Sequence, residues 1–492
     1  MPLLPLSLPP GVYGNGTDLD AAGRWRDSNL VRWEGASLRP VGGWTTRKAD
    51  AFAAPARGMI GWEDNSADRW VAAGTFDTLY VMSASNTVTD ISPADLVAGN
   101  QDSALNYGFG GSFFGTGKFG VAREDSGTFS QATVWSLDTF GQYLIACNPD
   151  DGRILEWQLD IAANAAAVSN APTGNSAVVV TEERFLFALG AGGNPRLVQW
   201  CDREANTVWS PLDTNEAGSQ ELQTVGQIKQ GIRTLGQTLI LTDVDAHAAT
   251  YVGPPFAYGF ERVGSACGVI SRQGAVAIDE GVFWFGPRGF FSYSGSVVRP
   301  IPCDVRDKVF EDINRAQASK IWGIANAQFG EIWWFYPSAA SLEIDRYVIF
   351  NYRDGYWSVG SLDRTAGIPR GVFDVPIWAD STGDLFSHEL GQNRGSAVPF
   401  AESGPISLGV GDQVMAVTDL YPDEQTQGDV SVTFKTRFYP NDTERSYGPY
   451  TMNTPTSVRF TGRQVRMLVT QAVETNWKAG TMRIEAKPMG RR

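Results

Sequence analysis

The sequence predicts an all-β chain: a degenerate six- or seven-bladed β-propeller with an N-terminal extended arm ahead of it and a C-terminal β-sandwich-like domain behind it. Three observations carry that prediction. Apolar runs are four to seven residues long, rich in Val, Ile, Tyr, Phe and Trp, and are stopped by Gly, Asp, Asn or Pro. Helical spacing is confined to 304–318, where Val305, Val309, Ile313 and Ala316 share a face. The strand-like runs recur in clusters at blade-sized intervals, the pattern of a sheet that closes radially and so leaves few exposed edges. The 54 glycines, 16 Trp, 15 Tyr and 26 Phe, against only 19% charged residues, suit many short buried strands joined by tight turns.

Residues 1–55 read as the arm. The apolar start, with Pro2, Pro5, Pro9 and Pro10, has no basic flank and cannot hold a helical apolar region, so an extended segment is expected rather than a secretory signal. Trp25, Trp33 and Trp44 are its candidate partner contacts. The propeller is expected over 56–400. Its clusters centre on Leu79 to Met82, Tyr143 to Cys147, Phe185 to Phe187, Thr238 to Leu241, Val282 to Phe285, Ile332 to Phe335 and Val375 to Trp378. With Tyr80, Leu155, Gln199, Tyr251, Ser292, Ile349 and Phe386 as markers, the spacings are 75, 44, 52, 41, 57 and 37 residues. Asp151-Gly152 and Asp354-Gly355 are expected to turn two-residue hairpins. The 75-residue interval holds an insertion, the Gly/aromatic segment 107–120, expected to protrude; Phe109, Phe113, Phe114, Lys118 and Phe119 are candidates for lining a channel or touching a partner. Alternating strands after 400 form the last domain, 401–492.

The chemistry is sparse. Two histidines and four widely spaced cysteines rule out a histidine-rich metal centre and suggest reduced thiols. The longest uncharged stretch, Ile161 to Thr181, contains Asn164, Asn170, Pro172, Gly174 and Asn175, so no membrane span is expected. The Gly115 to Gly120 segment satisfies G-x-G-x-x-G but is followed by turn residues, not by the helix N-terminus that pyrophosphate needs. Ser136-Leu137-Asp138-Thr139-Phe140-Gly141 approaches an Asp box with its Gly one residue late. Asp243, Asp245 and His247 alternate as metal ligands on a strand would, but they start a blade turn, where solvated polar residues are the better expectation. In Trp333-Trp334-Phe335-Tyr336 neighbouring side chains face opposite ways, as a blade sandwiched between two others requires. No catalytic residue, cofactor or metal is expected. The net charge of −14 excludes a basic, sequence-independent DNA clamp.

In linear order the chain resembles the tail nozzle proteins of short-tailed bacteriophages, also called packaged-DNA stabilisation or head-to-tail closure proteins. The likeness is carried by Gly23 to Trp33 closing on Leu38 to Trp44, by Ala73-Gly74-Thr75 with Leu79-Tyr80-Val81, by the 107–120 loop and Thr133 to Asp138, by Val198 to Asp202 with Thr207-Val208-Trp209, and by Gly462 to Arg466. The resemblance implies a non-enzymatic virion protein, assembled in the bacterial cytoplasm into a ring of six copies beneath the portal and adaptor. It would carry fibres, spikes or a needle, and would retain double-stranded DNA and then conduct it without specific binding. The alternative is a propeller-type tail protein that binds or hydrolyses glycans.

Overall fold

The computed structural model describes residues 3–47, 51–105, 129–409 and 413–490. Seven antiparallel four-stranded sheets succeed one another between Met59 and His388, and each is one blade. Blades 1 to 6 begin with the strands Met59–Glu63, Ser136–Phe140, Ala177–Val180, Ile228–Thr234, Ala275–Ile278 and Trp322–Asn326. The first strand of each blade lies beside the first strand of the next, and that of blade 7, Ala366–Ile368, lies beside that of blade 1, so the ring is closed.

Closure comes from the N-terminal segment. Blade 7 takes only Ala366–Ile368, Ile377–Ala379 and Leu385–His388 from its own stretch of chain; its outer strand is Trp44–Thr46, with Trp44 opposite His388 and Thr46 opposite Phe386. A ring tied by two distant parts of one chain cannot open at this joint without breaking a sheet.

Each gap between blades holds its own buried apolar cluster. Blade 6 shows how the sequence specifies this. In Glu331–Tyr336, Ile332, Trp334 and Tyr336 pack toward blade 5, while Trp333 and Phe335 pack toward blade 7. The aromatic string is therefore core on both faces of one strand. The two Asp-Gly turns use positive φ at Gly152 (70°) and Gly355 (72°), as expected. They are longer than two residues because an asparagine opens each: Asn148 Oδ1 accepts from the N–H of Asp150 and Asp151, and Asn351 Oδ1 from the N–H of Arg353 and Asp354.

The helix expected over 304–318 is shorter, Arg306–Asp312. Ile313 turns extended, and Asn314 caps a separate 3-10 turn, Arg315–Lys320, by accepting from Ala316 N–H. Val305, Val309 and Ile313 are nonetheless all buried.

The last domain is a two-sheet sandwich. One sheet has the order Leu3–Leu6, Met482–Gly490, Val414–Tyr421, Thr456–Gly462; the other runs Trp25–Asn29, Phe400–Ser403, Gln464–Gln471, Val430–Arg437, Arg445–Thr451, with Ile406–Ser407 beside Gln464–Gln471. The N-terminal arm is extended, but it does not stand apart. It contributes an edge strand to each sheet, then the hairpin Val31–Glu34 and Ser37–Pro40, then the closing strand of blade 7. The cluster between blades 5 and 6 continues into the sandwich through Leu8, Val12, Trp25 and Trp33.

Candidate functional site

The loops that enter the seven inner strands form one rim around the propeller axis. Basic residues stand at five of these entries: Arg57, Lys229, Arg272, Lys320 and Arg364, in or just ahead of the first strands of blades 1, 4, 5, 6 and 7, with Arg364 donating to His388 Nε2 and to the Asp363 carbonyl. Two of them are neutralised. Arg57 forks onto both carboxylate oxygens of Glu343, and the buried Lys320 ammonium donates to Asp102 Oδ1 at 2.5 Å and to the Leu342 carbonyl at 2.7 Å, with Glu343 3.4 Å away. Burial pushes the Glu343 carboxyl up, but the Arg57 hydrogen bonds and the charges of Arg57 and Lys320 outweigh it and hold the group below its ordinary range.

Asp102 belongs to the insertion between blades 1 and 2, whereas Lys320 precedes blade 6. In a ring of seven, those two junctions face each other across the axis. A second clasp lies alongside: Ser103 N–H donates to Gln317 Oε1 and Gln317 Nε2 donates to the Ser103 carbonyl, both at 2.9 Å. The base of the insertion, with its short ladder Ala104–Leu105 and Phe129–Ser130, thus roofs the rim.

Under this roof is a cavity of about 220 Å³ whose polar lining includes Ser130, Asp150, Lys229, Ser271 and Arg272. It holds Lys229 and Arg272. Arg272 Nη1 donates to the Ser176 carbonyl at 2.9 Å; Lys229 makes no side-chain hydrogen bond or ion pair among the described residues. Burial and then the neighbouring guanidinium lower the Lys229 ammonium, with Asp243 opposing. Burial lowers Arg272 as well, against the charge of Asp150. Asp150 Oδ2 accepts from Thr133 Oγ1 at 2.5 Å, while its Oδ1 accepts no hydrogen bond among the described residues. Farther along the axis, Asp138 is buried, which pushes its carboxyl up against the opposing charge of Arg233. It accepts from Val180 N–H and, at 2.9 Å, from Arg233 of blade 4, so this approximate Asp box is a clamp between blades.

A larger cleft, about 810 Å³, separates helix Arg306–Asp312 from the sandwich, but two of its three cations are already paired, Lys308 with Asp27 at 2.6 Å and Arg466 with Glu402 at 3.5 Å. Asp245 accepts from Thr224 and Thr242 hydroxyls at 2.8 and 2.6 Å, leaving it a structural role beside His247. No group of three or more metal-ligating side chains occurs among the described residues. All four cysteines are free; burial pushes the thiols of Cys147, Cys201 and Cys303 up to about 12 and that of Cys267 to about 11, so they are poor nucleophiles.

Phe109, Phe113, Phe114, Lys118 and Phe119 lie outside the described residues. Trp25 and Trp33 are not offered to a partner: both are buried, 6.2 Å apart, with Trp33 edge-on to Tyr356 of blade 6. Their apolar surface joins the arm to its own chain. Trp44 is half-buried against His388, and Arg364 lies 5.1 Å from its ring. The axial cations escape a linear reading because they stand far apart in sequence; the usable signal is a basic residue recurring at the entry of an inner strand.

Fold and site together define a seven-bladed β-propeller joined to a β-sandwich. No protein-family model and no curated protein matches the chain. Among solved structures it is similar to a catalytically inactive virginiamycin B lyase from Staphylococcus aureus with quinupristin, at 7% identity over 70% of this chain and 98% of that one, TM-score 0.42. A streptogramin B lyase gives 10% identity, 69% and 96% coverage and TM-score 0.40; the Neurospora crassa Pan2 WD40 domain gives 8%, 70% and 94%, and 0.40. Likeness at this level says nothing of activity; the blade count rests on strand pairing.

Proposed function

We propose that the chain is a structural, non-enzymatic subunit of a phage tail nozzle, six copies of which form a ring below the portal and adaptor that retains the genome and then conducts it. The observation that carries this reading is the course of residues 3–47. One segment completes both sheets of the sandwich, packs on blade 6 and closes blade 7, so that propeller and sandwich form one body suited to holding its shape under force. At its crossing point the buried Arg32 is held between the carboxylates of Glu331 and Glu389. In this reading fibres or a needle attach to the assembled ring in the virion tail.

Particle images and native mass of the purified protein, alone and with the adaptor, test the proposal. A six-fold ring is expected; monomers alone in the presence of adaptor would refute it. Release of reducing ends from host surface polysaccharide would replace it with a glycan-active reading.

A further inference from the structure

Separately from any role in a ring, we propose that the axial cavity binds a protonated oxyanion of phosphate size, held by Lys229 and Arg272 and selected by Asp150. The site is built from three blades: Lys229 comes from blade 4, Arg272 enters blade 5, and Asp150 lies in a loop of blade 2. Arg57 and Lys320 have carboxylate partners, whereas these two do not among the described residues, and their ammonium and guanidinium repel each other across the shared cavity. An anion between them relieves that repulsion and supplies charge-assisted hydrogen bonds in a partly desolvated site. At about 220 Å³ the cavity is smaller than the ~300–1,000 Å³ that buries drug-sized ligands, which points to a small anion rather than a nucleotide.

Asp150 gives the site its selectivity. Its Oδ1 is an acceptor without a donor, and a fully ionised anion such as sulfate presents only more acceptors to it. Hydrogen phosphate carries an O–H that can donate to Asp150 while its other oxygens accept from Lys229 and Arg272. Asp150 is exposed, so the penalty is the hydrogen bond that sulfate cannot donate to its carboxylate rather than a buried unpaired acceptor, and sulfate binds more weakly.

Isothermal titration of the full chain with inorganic phosphate and with sulfate, at pH 7.5 and matched ionic strength, tests this. Saturable phosphate binding is expected, with sulfate weaker by about tenfold or more. Lys229→Gln removes a side chain with no internal bond and should weaken phosphate by about tenfold while leaving the circular dichroism spectrum unchanged. Asp150→Asn, whose amide can donate, should bring sulfate to within about threefold of phosphate. Absence of saturable phosphate binding, equal affinity for sulfate in the unmodified protein, or full retention of binding in Lys229→Gln would each overturn the proposal; the comparison of the two anions needs no variant.

Discussion

Replacing Arg32 with methionine should destabilise the protein more than any other single change in the arm. Its guanidinium donates to Glu331 at 2.8 and 3.0 Å and to Glu389 at 2.5 and 3.2 Å, and lies 3.5 Å from the centre of the Phe329 ring. All three charged side chains are less than a tenth exposed. Burial works against the Arg32 charge, but Glu331 and Glu389 outweigh it and raise its affinity for the proton. Burial likewise pushes Glu389 up; Arg32, Asn326 and the Gly42 N–H reverse the shift. Arg32→Met strands two buried carboxylates, and losing one partner of such a network costs about 3–5 kcal/mol. Because Glu331 belongs to blade 6 and Glu389 follows Leu385–His388, the blade 7 strand that pairs with the arm, the loss falls on the joint where the arm locks the ring. Denaturant unfolding followed by tryptophan fluorescence measures it at pH 7.5. The triple variant Arg32→Met, Glu331→Gln, Glu389→Gln should recover most of the loss, since it removes the stranded charges. The pH response has a definite sign: without the guanidinium, both carboxyls have folded pKa values above their unfolded ones. The folded state then binds more protons, and the Arg32→Met deficit shrinks as pH falls through the carboxylate range. A loss below about 1 kcal/mol, or a triple variant no more stable than the single one, would refute the reasoning.

Both histidines are buried with lowered pKa: His388 by burial and then the charge of Arg364, which donates to its Nε2 at 2.8 Å, and His247 by burial and Arg262 against Asp245. The unfolded chain therefore binds more protons, so stability falls as pH drops below the ordinary imidazole value. The slope approaches about 1.4 kcal/mol per pH unit for each histidine. The His388→Gln curve, subtracted from that of the unmodified protein between pH 7.5 and 5.5, should show one such slope; a flat difference would sink the assignment. Gly74→Ala should cost about 1–3 kcal/mol by overpacking, because its Cβ would stand 2.2 Å from the Trp135 ring, whose Nε1 is bonded to the Thr75 carbonyl at 2.6 Å. A melting temperature unchanged within error would show that the gap between blades 1 and 2 has room to yield.

Much of the propeller was legible because each blade must be apolar on both faces, which produces strings such as Ile332 to Tyr336 that no half-exposed strand would carry. All seven clusters read from the sequence correspond to blades. Closure was not legible: Trp44–Thr46 is three residues long and pairs with a strand more than three hundred residues away, and no local pattern encodes such a pairing. The same distance hid the arm strands Leu3–Leu6 and Trp25–Asn29. The arm tryptophans Trp25 and Trp33 looked like surface anchors because their burial depends on blade 6 and the sandwich, which the chain makes hundreds of residues later. Lys229 and Arg272 were invisible for a related reason: their convergence exists only once blades 4 and 5 pack side by side.

The axial geometry also restricts where DNA could pass in the proposed ring. Within one chain the axis is roofed by the Asp102–Lys320 and Ser103–Gln317 clasps, and Gln273 Nε2 donates there to the carbonyls of Arg57 and Trp135. A duplex whose major groove alone is ~12 Å wide does not fit a path so spanned. A lumen would have to lie between chains, lined by their outer surfaces. The chain has 54 Asp and Glu against 40 Lys and Arg, and the buried cations Arg32, Arg57 and Lys320 are held by carboxylates of the same chain, so the charge left for those surfaces is acidic in excess. Duplex DNA should therefore not be retained on immobilised protein at ~150 mM salt. Retention that falls steeply with added salt would mean that a basic surface has been assembled after all, and would count against passage by sliding.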